Sequence, residues 1–341
     1  MRLLTALAFC LFAVAAKGEV QEIRLFGWSD YLMPEVLAQF TQETGIAVRF
    51  TTYDSNESMY AKLKLLNSGG YDLAMPSTYF VDKMRQEGML HEIDKAKLSH
   101  YKNLDPRQLD KPFDPDNRYS IPYLWGTTGI GVDTAKIKPQ DLTAWADLWK
   151  PLFRNRLLLP NDMREVFHVA LIVLGFSGNN TDPEKIHKAY ELLKKLLPNI
   201  RLFNSDAGDV LFMTGEVDAG VVWNGAASRI RREEPSFEYV YPKEGVIIWM
   251  DSLIIPKNAP HADLAHQLIN FLLRPDIAKI ISEKVGSATP NLEAIKLLPP
   301  TIKNDPMVYP NDDILSKGEY QTDIGEAVTV YTEYWEKLKA E

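Results

Sequence analysis

The sequence is poor in cysteine and in basic charge, and both shortages exclude classes of protein. With a single Cys among 341 residues, neither a disulfide framework nor a thiolate zinc site can form within the chain. Acidic residues outnumber basic ones by 46 to 38, for a formal net charge of -8, which disfavours nucleic acid and anionic membranes as partners. The 45% hydrophobic content is typical of a folded protein, and the length suggests about two domains.

The longest apolar run lies at the N-terminus and predicts a secretory signal peptide. Arg2 precedes apolar residues 3–15, and the small residue Ala16 follows them, as in segments that signal peptidase removes. The run is too short to cross a bilayer. We expect residues 1–18 to be removed, and Cys10 with them. The alternative is a buried N-terminal helix.

The first part of the remaining chain alternates between strand-like and helix-like segments. Glu22–Phe26, Ala47–Tyr53 and Tyr71–Met75 are apolar, β-branched or aromatic stretches that predict strands. Between the first two, Pro34 suits the first turn of a helix and Gly45 suits its end. This alternation predicts a parallel, doubly wound α/β sheet.

The second half continues the alternation. It predicts strands over Arg156–Leu159, Val217–Trp223 and Ile247–Ile255, the last of them broken at Asp251-Ser252. Helices are predicted over residues 164–174, 186–197, 224–231, 262–273, 276–285 and 324–339. No Gly/Ser linker is present, so we expect two lobes joined by strand-like hinges, with crossings near residues 126–132 and 249–255.

Aromatic and acidic residues follow the predicted strands at their carboxyl ends, where open α/β sheets bind ligands. They are Trp28, Asp30, Tyr31, Tyr79, Asp162, Glu165, Trp223, Trp249 and Asp251. Ring faces attract ammonium groups and pack against methylenes, and carboxylates form charge-assisted hydrogen bonds with ammonium protons. The pattern predicts a cleft for an elongated organic cation such as a linear polyamine.

Structural interpretations of the same residues stay open. Asp162 can be a helix N-cap with Glu165 as its capping-box partner. The tryptophans can be ordinary core aromatics, and Asp30 can be a turn residue. The six His are expected at the surface, because their spacing does not suit metal ligands.

Long runs of the sequence resemble the periplasmic spermidine/putrescine-binding proteins of polyamine ABC transporters. Among them are YDSNESMYAKLK (Tyr53–Lys64), YDLAMPSTYFVDKMRQEGM (Tyr71–Met89), NDMREVF (Asn161–Phe167) and WMDSLIIP (Trp249–Pro256), with further runs over residues 103–132, 145–151 and 269–279. The resemblance implies a periplasmic protein with two lobes, each a mixed sheet flanked by helices, which closes on a polyamine and delivers it to membrane permease subunits. We expect a monomer without cofactor or metal. The first lobe would comprise residues 19–130 and about 252–300, and the second about 131–251 and 301–341.

The resemblance also implies a set of ligand-binding residues. It matches Trp28, Ser29, Tyr31, Ser77, Tyr79, Asp162, Arg164, Glu165, Trp223, Trp249, Asp251 and Gln321. Asp251 would hold a secondary or terminal ammonium group, and Asp162 with Glu165 would hold one end of the ligand. Ser29, Ser77 and Gln321 would add neutral hydrogen bonds. Arg164 is expected to orient carboxylates, because its charge would repel a cation.

Three features bear on ligand preference. Ser287-Ala288 stands where spermidine-preferring members have an aromatic residue, which removes one ring. The loop Trp28–Tyr31 reads Trp-Ser-Asp-Tyr, which is similar to putrescine-preferring members. Gln321, in contrast, is similar to spermidine-preferring members.

Three other functions are compatible with parts of the sequence. A glycosidase would use Asp162 and Glu165 as its carboxylate pair, but their spacing of three residues at a helix start suits capping or ligand binding better. The sequence contains no G-x-S-x-G, H-E-x-x-H or Walker-type motif. The glycines of residues 126–131 are a weak signal for a phosphate-binding loop, because they follow Trp125 and not a clear strand-to-helix turn. A periplasmic sensor that docks on a receptor would have the same site. The third alternative is a sugar- or metal-binding relative of the same fold. A cleft rich in tryptophan suits sugars, but the many carboxylates favour a cation.

Overall fold

The computed structural model describes residues 21–205 and 208–341. The predicted signal peptide and Cys10 lie outside these residues. The strands are β1 (Glu22–Trp28), β2 (Ala47–Tyr53), β3 (Leu73–Ala74), β4 (Ser120–Asp133), β5 (Leu157–Leu159), β6 (Ile200–Phe203), β7 (Ala219–Trp223), β8 (Phe237–Val240), β9 (Ile247–Ile254) and β10 (Glu319–Tyr320).

The α-helices surround this sheet. They are α1 (Pro34–Thr44), α2 (Asn56–Leu65), α3 (Thr78–Gln86), α4 (Met163–Val173), α5 (Pro183–Leu196), α6 (Gly208–Met213), α7 (Asn224–Glu233), α8 (Ala262–Leu272), α9 (Pro275–Val285), α10 (Leu292–Leu297), α11 (Pro300–Lys303), α12 (Asp312–Leu315) and α13 (Val328–Ala340). Within residues 21–205 and 208–341, each helix is too short or too polar to cross a membrane.

The strands form one continuous mixed sheet in the order β2-β1-β3-β9-β4-β7-β5-β6, with β10 paired to β9 and β8 paired to β4. The predicted parallel pairing is confirmed for β1 with β2 and β3. Strand β9 then runs antiparallel to both β3 and β4, so the sheet as a whole is not parallel. On its other side, β5 is parallel to β6 and β7.

Strands β4 and β9 lie at the centre of the sheet and contain the two predicted crossing segments. Their antiparallel ladder runs from the Ser120–Ile254 pair to the Thr128–Ile247 pair. The last part of β4 also pairs with β7, so this strand belongs to both halves of the sheet.

The predicted break of β9 at Asp251-Ser252 was wrong. Asp251 pairs with Leu124 and Ser252 with Pro122, and the register shifts on β4 between Pro122 and Leu124. The irregularity therefore lies in β4, where proline cannot donate a ladder hydrogen bond. As a result, Asp251 extends from a continuous strand.

Two large apolar cores lie on the two sides of β4 and β9. One packs α1, α8 and α9 against β1 and β3, and the other packs α4, α5 and α13 against β5 and β7. Around residues 307–308 the chain contacts both sides, because Val308 packs beside β3 and Met307 beside α7. All the predicted lobe boundaries, including the assignment of residues 301–341 to the second lobe, remain a prediction.

Local sequence signals predicted most helix starts correctly. Pro34 begins α1, and Gly45 follows its end with a φ of 74°, a left-handed conformation that favours glycine. Helix α5 begins three residues earlier than predicted because Asp182 caps it, and its side chain accepts a hydrogen bond from the Glu184 amide. Helix α13 begins at Val328, four residues later than predicted, after a short 3-10 turn.

The expectation that all six histidines lie at the surface was wrong for two of them. His168 on α4 and His266 on α8 are buried. The His266 Nε2 accepts a hydrogen bond from the Asp94 amide, and the His168 ring packs against Gly178 and lies 3.4 Å from the Glu319 carboxylate. These partners are distant in sequence, so the spacing of histidines along the chain does not reveal the burial.

Candidate functional site

A cleft with an empty volume of ≈ 940 Å³, part of it open to solvent, lies where the two sides of the sheet meet. Twelve of the thirteen predicted site residues line it: Trp28, Ser29, Asp30, Tyr31, Ser77, Tyr79, Asp162, Glu165, Trp223, Trp249, Asp251 and Gln321. Ser287, the predicted position of the missing ring, also lines the cleft, whereas the sequence did not single out the other lining residues for this site, namely Asp54, Asn56, Thr78, Ser205, Gly225, Ala226, Arg229 and Val285.

The first group of lining residues lies where β1 and β3 end side by side. Strand β1 runs into Trp28 and the turn that contains Asp30, so the turn interpretation of Asp30 is confirmed. The Trp28 indole N–H donates to the main-chain oxygen of Met75 at 3.1 Å. The centroid of its ring lies 4.6 Å from the ring centroid of Tyr53 and 6.3 Å from that of Tyr31. These contacts fix one aromatic wall of the cleft.

Asp251 is the most deeply enclosed carboxylate on this wall, with 3% of its surface exposed. It accepts a hydrogen bond from the Tyr31 hydroxyl and another of 2.5 Å from the Ser77 hydroxyl. Burial raises the pKa of Asp251 to about 6, although both hydroxyls oppose the shift. No cationic side chain forms a salt bridge with it in the described part of the chain. A buried carboxylate with only neutral partners is costly and therefore favours a bound cation.

Asn56 holds the Ser77 hydroxyl in place and was missed as a site residue. Its amide nitrogen donates to the Ser77 Oγ at 3.0 Å and to the Tyr79 hydroxyl at 3.2 Å, and its Oδ1 accepts from the Ser77 amide at 3.0 Å. Ser55 caps α2, which leaves the Asn56 side chain free for these contacts. With its oxygen occupied as an acceptor, Ser77 directs its proton to Asp251.

A glycine lets Trp249 reach the cleft. Trp249 on β9 is paired with Gly126 on β4, and a Cβ added at Gly126 would lie 2.5 Å from the Trp249 ring and 2.0 Å from the Asn224 Oδ1. Any larger residue at this position would displace the ring or the amide. The glycine therefore serves close packing within a strand and not a phosphate-binding loop.

The second group of lining residues begins α4 on the opposite side. Asp162 is its N-cap and accepts a 3.0 Å hydrogen bond from the Glu165 amide, so the capping interpretation is confirmed for Asp162, which also lines the cleft. The Glu165 side chain is 3% exposed. Its Oε1 lies 3.5 Å from the Gln321 amide nitrogen, and its Oε2 has no hydrogen-bond partner within residues 21–205 and 208–341.

Both carboxylates are harder to ionise than usual in the free protein. Burial raises the pKa of Glu165, and the nearby charge of Asp162 raises it further. Burial also raises the pKa of Asp162, while the amide hydrogen bonds and the Arg164 charge oppose the shift. A cation placed between them would relieve both effects.

Arg164 is the one predicted site residue that does not line the cleft. It is 2% exposed and donates to the Thr322 oxygen at 3.0 Å and to the Asn179 Oδ1 at 2.8 Å. Its guanidinium group lies 5.2 Å from the centre of the Tyr79 ring. The arginine thus packs behind the cleft wall, in agreement with an orienting position.

The third group lies at the end of the cleft formed by Asp30, Val285 and Ser287. Here Arg229 of α7 approaches Asp30, with 3.3 Å between the Arg229 Nη2 and the Asp30 Oδ2. Trp223 is the N-cap residue of α7. Like Trp28 and Trp249, it is half-buried and lines the cleft. These tryptophans therefore do not lie wholly within the cores.

Comparison with known proteins defines the class of this two-sided, cleft-containing fold. Residues 35–310 match the family model described as bacterial extracellular solute-binding protein. The chain belongs to this family. Its relatives include a spermidine/putrescine-binding periplasmic protein of Salmonella typhimurium, 54% identical over 99% of this chain and 97% of the relative. The protein of that name from Escherichia coli is 52% identical over the same shares.

Solved structures agree with this assignment. A putative spermidine/putrescine ABC transporter protein from Listeria monocytogenes is similar at a TM-score of 0.90 and 37% identity, covering 94% of this chain and 99% of that one. A spermidine/putrescine substrate-binding protein from Streptococcus pneumoniae is similar at a TM-score of 0.80, with the same identity and coverage. The predicted two-lobed binding-protein fold is confirmed.

Proposed function

We propose that this protein captures a polyamine in the cleft and delivers it to the permease of an ABC transporter for uptake. The observation that carries the proposal is Asp251, a buried carboxylate whose partners are the hydroxyls of Tyr31 and Ser77. It lies on a cleft lined by the rings of Trp28 and Trp249. Polyamine-binding relatives at 52–54% identity support the same conclusion.

The ligand would be held at two carboxylate positions. One ammonium group would bind at Asp251, and another would bind between Asp162 and Glu165. The aromatic side chains would pack against the methylenes between the charges. They would also form cation–π contacts with the ammonium groups, each contributing about 0.5–2 kcal/mol. Ser29 and Gln321 would add neutral hydrogen bonds, and Arg164 would position Tyr79 and the two carboxylates of α4 without touching the ligand.

Binding would close the two lobes, because the two carboxylate positions lie on opposite sides of the central strands. Asp251 extends from β9 beside the ends of β1 and β3, whereas Asp162 and Glu165 begin α4. A ligand that bridges them has its full set of contacts only in the closed form. That difference in affinity would shift the open–closed equilibrium.

We propose that residues 1–18 are cleaved on export, that the mature protein acts in the periplasm as a monomer, and that it does not catalyse a reaction. Relatives described as periplasmic binding proteins support this location and role.

A calorimetric screen tests the proposal directly. Purified protein, freed of ligand by unfolding and refolding, is titrated with putrescine, cadaverine, spermidine and spermine, and with glucose and γ-aminobutyrate as non-polyamine controls. We expect saturable binding of at least one polyamine and no heat from the controls. Binding of a control compound with no response to any polyamine would contradict the proposal.

A further inference from the structure

Arg229 is the one cationic side chain among the described residues that line the cleft. This is unexpected, because the same lining carries five carboxylates: Asp30, Asp54, Asp162, Glu165 and Asp251. A guanidinium group in a site for cations opposes ligand charge unless it serves a separate purpose.

The position of Arg229 is fixed by contacts across the cleft. Its Nη2 lies 3.3 Å from the Asp30 Oδ2, and its Nη1 donates to the main-chain oxygen of Val285 at 3.4 Å. Arg229 extends from α7, whereas Asp30 follows β1 and Val285 ends α9. The Arg229 side chain is 31% exposed and the Asp30 side chain 60% exposed, so water screens much of this ion pair.

The neighbouring packing holds α7 against this end of the cleft. Gly225 and Arg229 are four residues apart and share one face of α7. A Cβ added at Gly225 would lie 2.5 Å from the Ser287 Oγ, so the helix already touches the loop after α9. Ser287 contributes a small hydroxyl to the lining here and no ring.

The carboxylates that line the cleft differ in whether a cationic side chain pairs with them. Asp251 has hydroxyl partners, Asp54 accepts a hydrogen bond from the Ser58 hydroxyl, and the Asp162–Glu165 pair places two carboxylates near the single guanidinium group of Arg164. Among the carboxylates on the lining, Asp30 is the one that forms a salt bridge within the described residues. Its charge is already balanced by Arg229.

We propose that Arg229 closes the Asp30 end of the cleft to ammonium groups and thereby makes the site selective for a diamine over a triamine. The two charges of a diamine can bind at Asp251 and at the Asp162–Glu165 pair. The third charge of a triamine would lie beside the guanidinium group, where like charges repel and Asp30 is already paired. This inference rests on the proposed function and specifies its ligand.

Calorimetry with putrescine and spermidine on wild type and Arg229→Met tests this selectivity. The quantity compared is the ratio of the spermidine to the putrescine association constant. Releasing an exposed carboxylate from its ion pair corresponds to a change of up to about fivefold, so we expect this ratio to rise about twofold to fivefold in Arg229→Met. The double variant Arg229→Met/Asp30→Asn should lose that gain, because the freed carboxylate is gone.

Arg232→Met is the matched control, because Arg232 lies on the same helix, is exposed and does not line the cleft. It removes the same charge and should leave the ratio unchanged. Arg229→Gln repeats the test with a polar side chain if the methionine variant is poorly folded. Polyamine binding with an unchanged or lower ratio in both Arg229 variants overturns this inference alone. Failure of the wild type to bind either compound overturns the proposed function as well.

Discussion

The Ser77 hydroxyl donates a 2.5 Å hydrogen bond to the Asp251 carboxylate. Their main chains also form an antiparallel bridge, so the start of α3 is fixed against β9 at the centre of the sheet. This arrangement positions a buried carboxylate by hydroxyl donors and leaves its charge unbalanced. A cationic ligand supplies the missing charge, and the following predictions test parts of that account.

The first prediction separates an indirect role of Asn56 from a simple effect on folding. Asn56→Ala removes both contacts of its amide with Ser77, so the Ser77 hydroxyl loses its fixed direction. We expect polyamine affinity to fall by about fivefold to tenfold, as for the loss of one buried hydrogen bond. Isothermal titration measures this change.

Ser55→Ala at the neighbouring position is the control for Asn56→Ala. Ser55 caps α2 by accepting a hydrogen bond from the Ser58 amide, and loss of such a cap costs about 0.5–2 kcal/mol of stability. We expect denaturant unfolding to show that loss while polyamine affinity stays at the wild-type value. Equal losses of affinity in the two variants would contradict the role assigned to Asn56.

The second prediction concerns Trp249→Leu. The indole is half-buried and lines the cleft, so its loss should weaken polyamine binding by about tenfold through the missing cation–π and methylene contacts. Thermal unfolding without ligand should stay near wild type. A large fall in the unfolding temperature with little change in affinity would instead identify Trp249 as a core residue.

The third prediction is the pH dependence of the ligand-free protein. The pKa of Asp251 rises from 3.8 to about 6 on folding because the group is buried. The folded state therefore binds this proton more tightly than the unfolded state, and stability should fall as the pH rises from about 4 to about 6. Urea unfolding across this range measures the effect, which Asp251→Asn should reduce. A rise in wild-type stability attributable to Asp251 over this range would contradict the burial argument.

Binding should show the opposite dependence on pH. A cation favours the ionised carboxylate, so below about pH 6 Asp251 must release a proton when the ligand binds, and affinity should fall by up to about tenfold per pH unit. Titrations in buffers of different ionisation enthalpy would detect this proton release. Affinity that is constant between about pH 5 and about pH 7 would be inconsistent with a carboxylate of raised pKa in the site.

Residue chemistry at strand ends predicted most of the cleft, because parallel strands such as β1 and β3 must end at the same edge of the sheet. The capping interpretation and the ligand-binding interpretation of Asp162 are compatible, because its side chain both caps α4 and lines the cleft. Asn56 and Arg229 were missed for a physical reason. The role of Asn56 depends on its contact with Ser77, and that of Arg229 on its contact with Asp30. These partners are distant in sequence, so no local sequence pattern predicts the contacts.

The most direct measurement is a calorimetric comparison of wild type and Asp251→Asn with putrescine and spermidine at neutral pH. Asparagine keeps the size of the side chain and removes the charge. The account predicts a loss of about 2–5 kcal/mol in binding free energy for whichever polyamine the wild type binds, without a loss of thermal stability. Unchanged affinity for both polyamines would contradict the assignment of Asp251 as the carboxylate that holds the ligand.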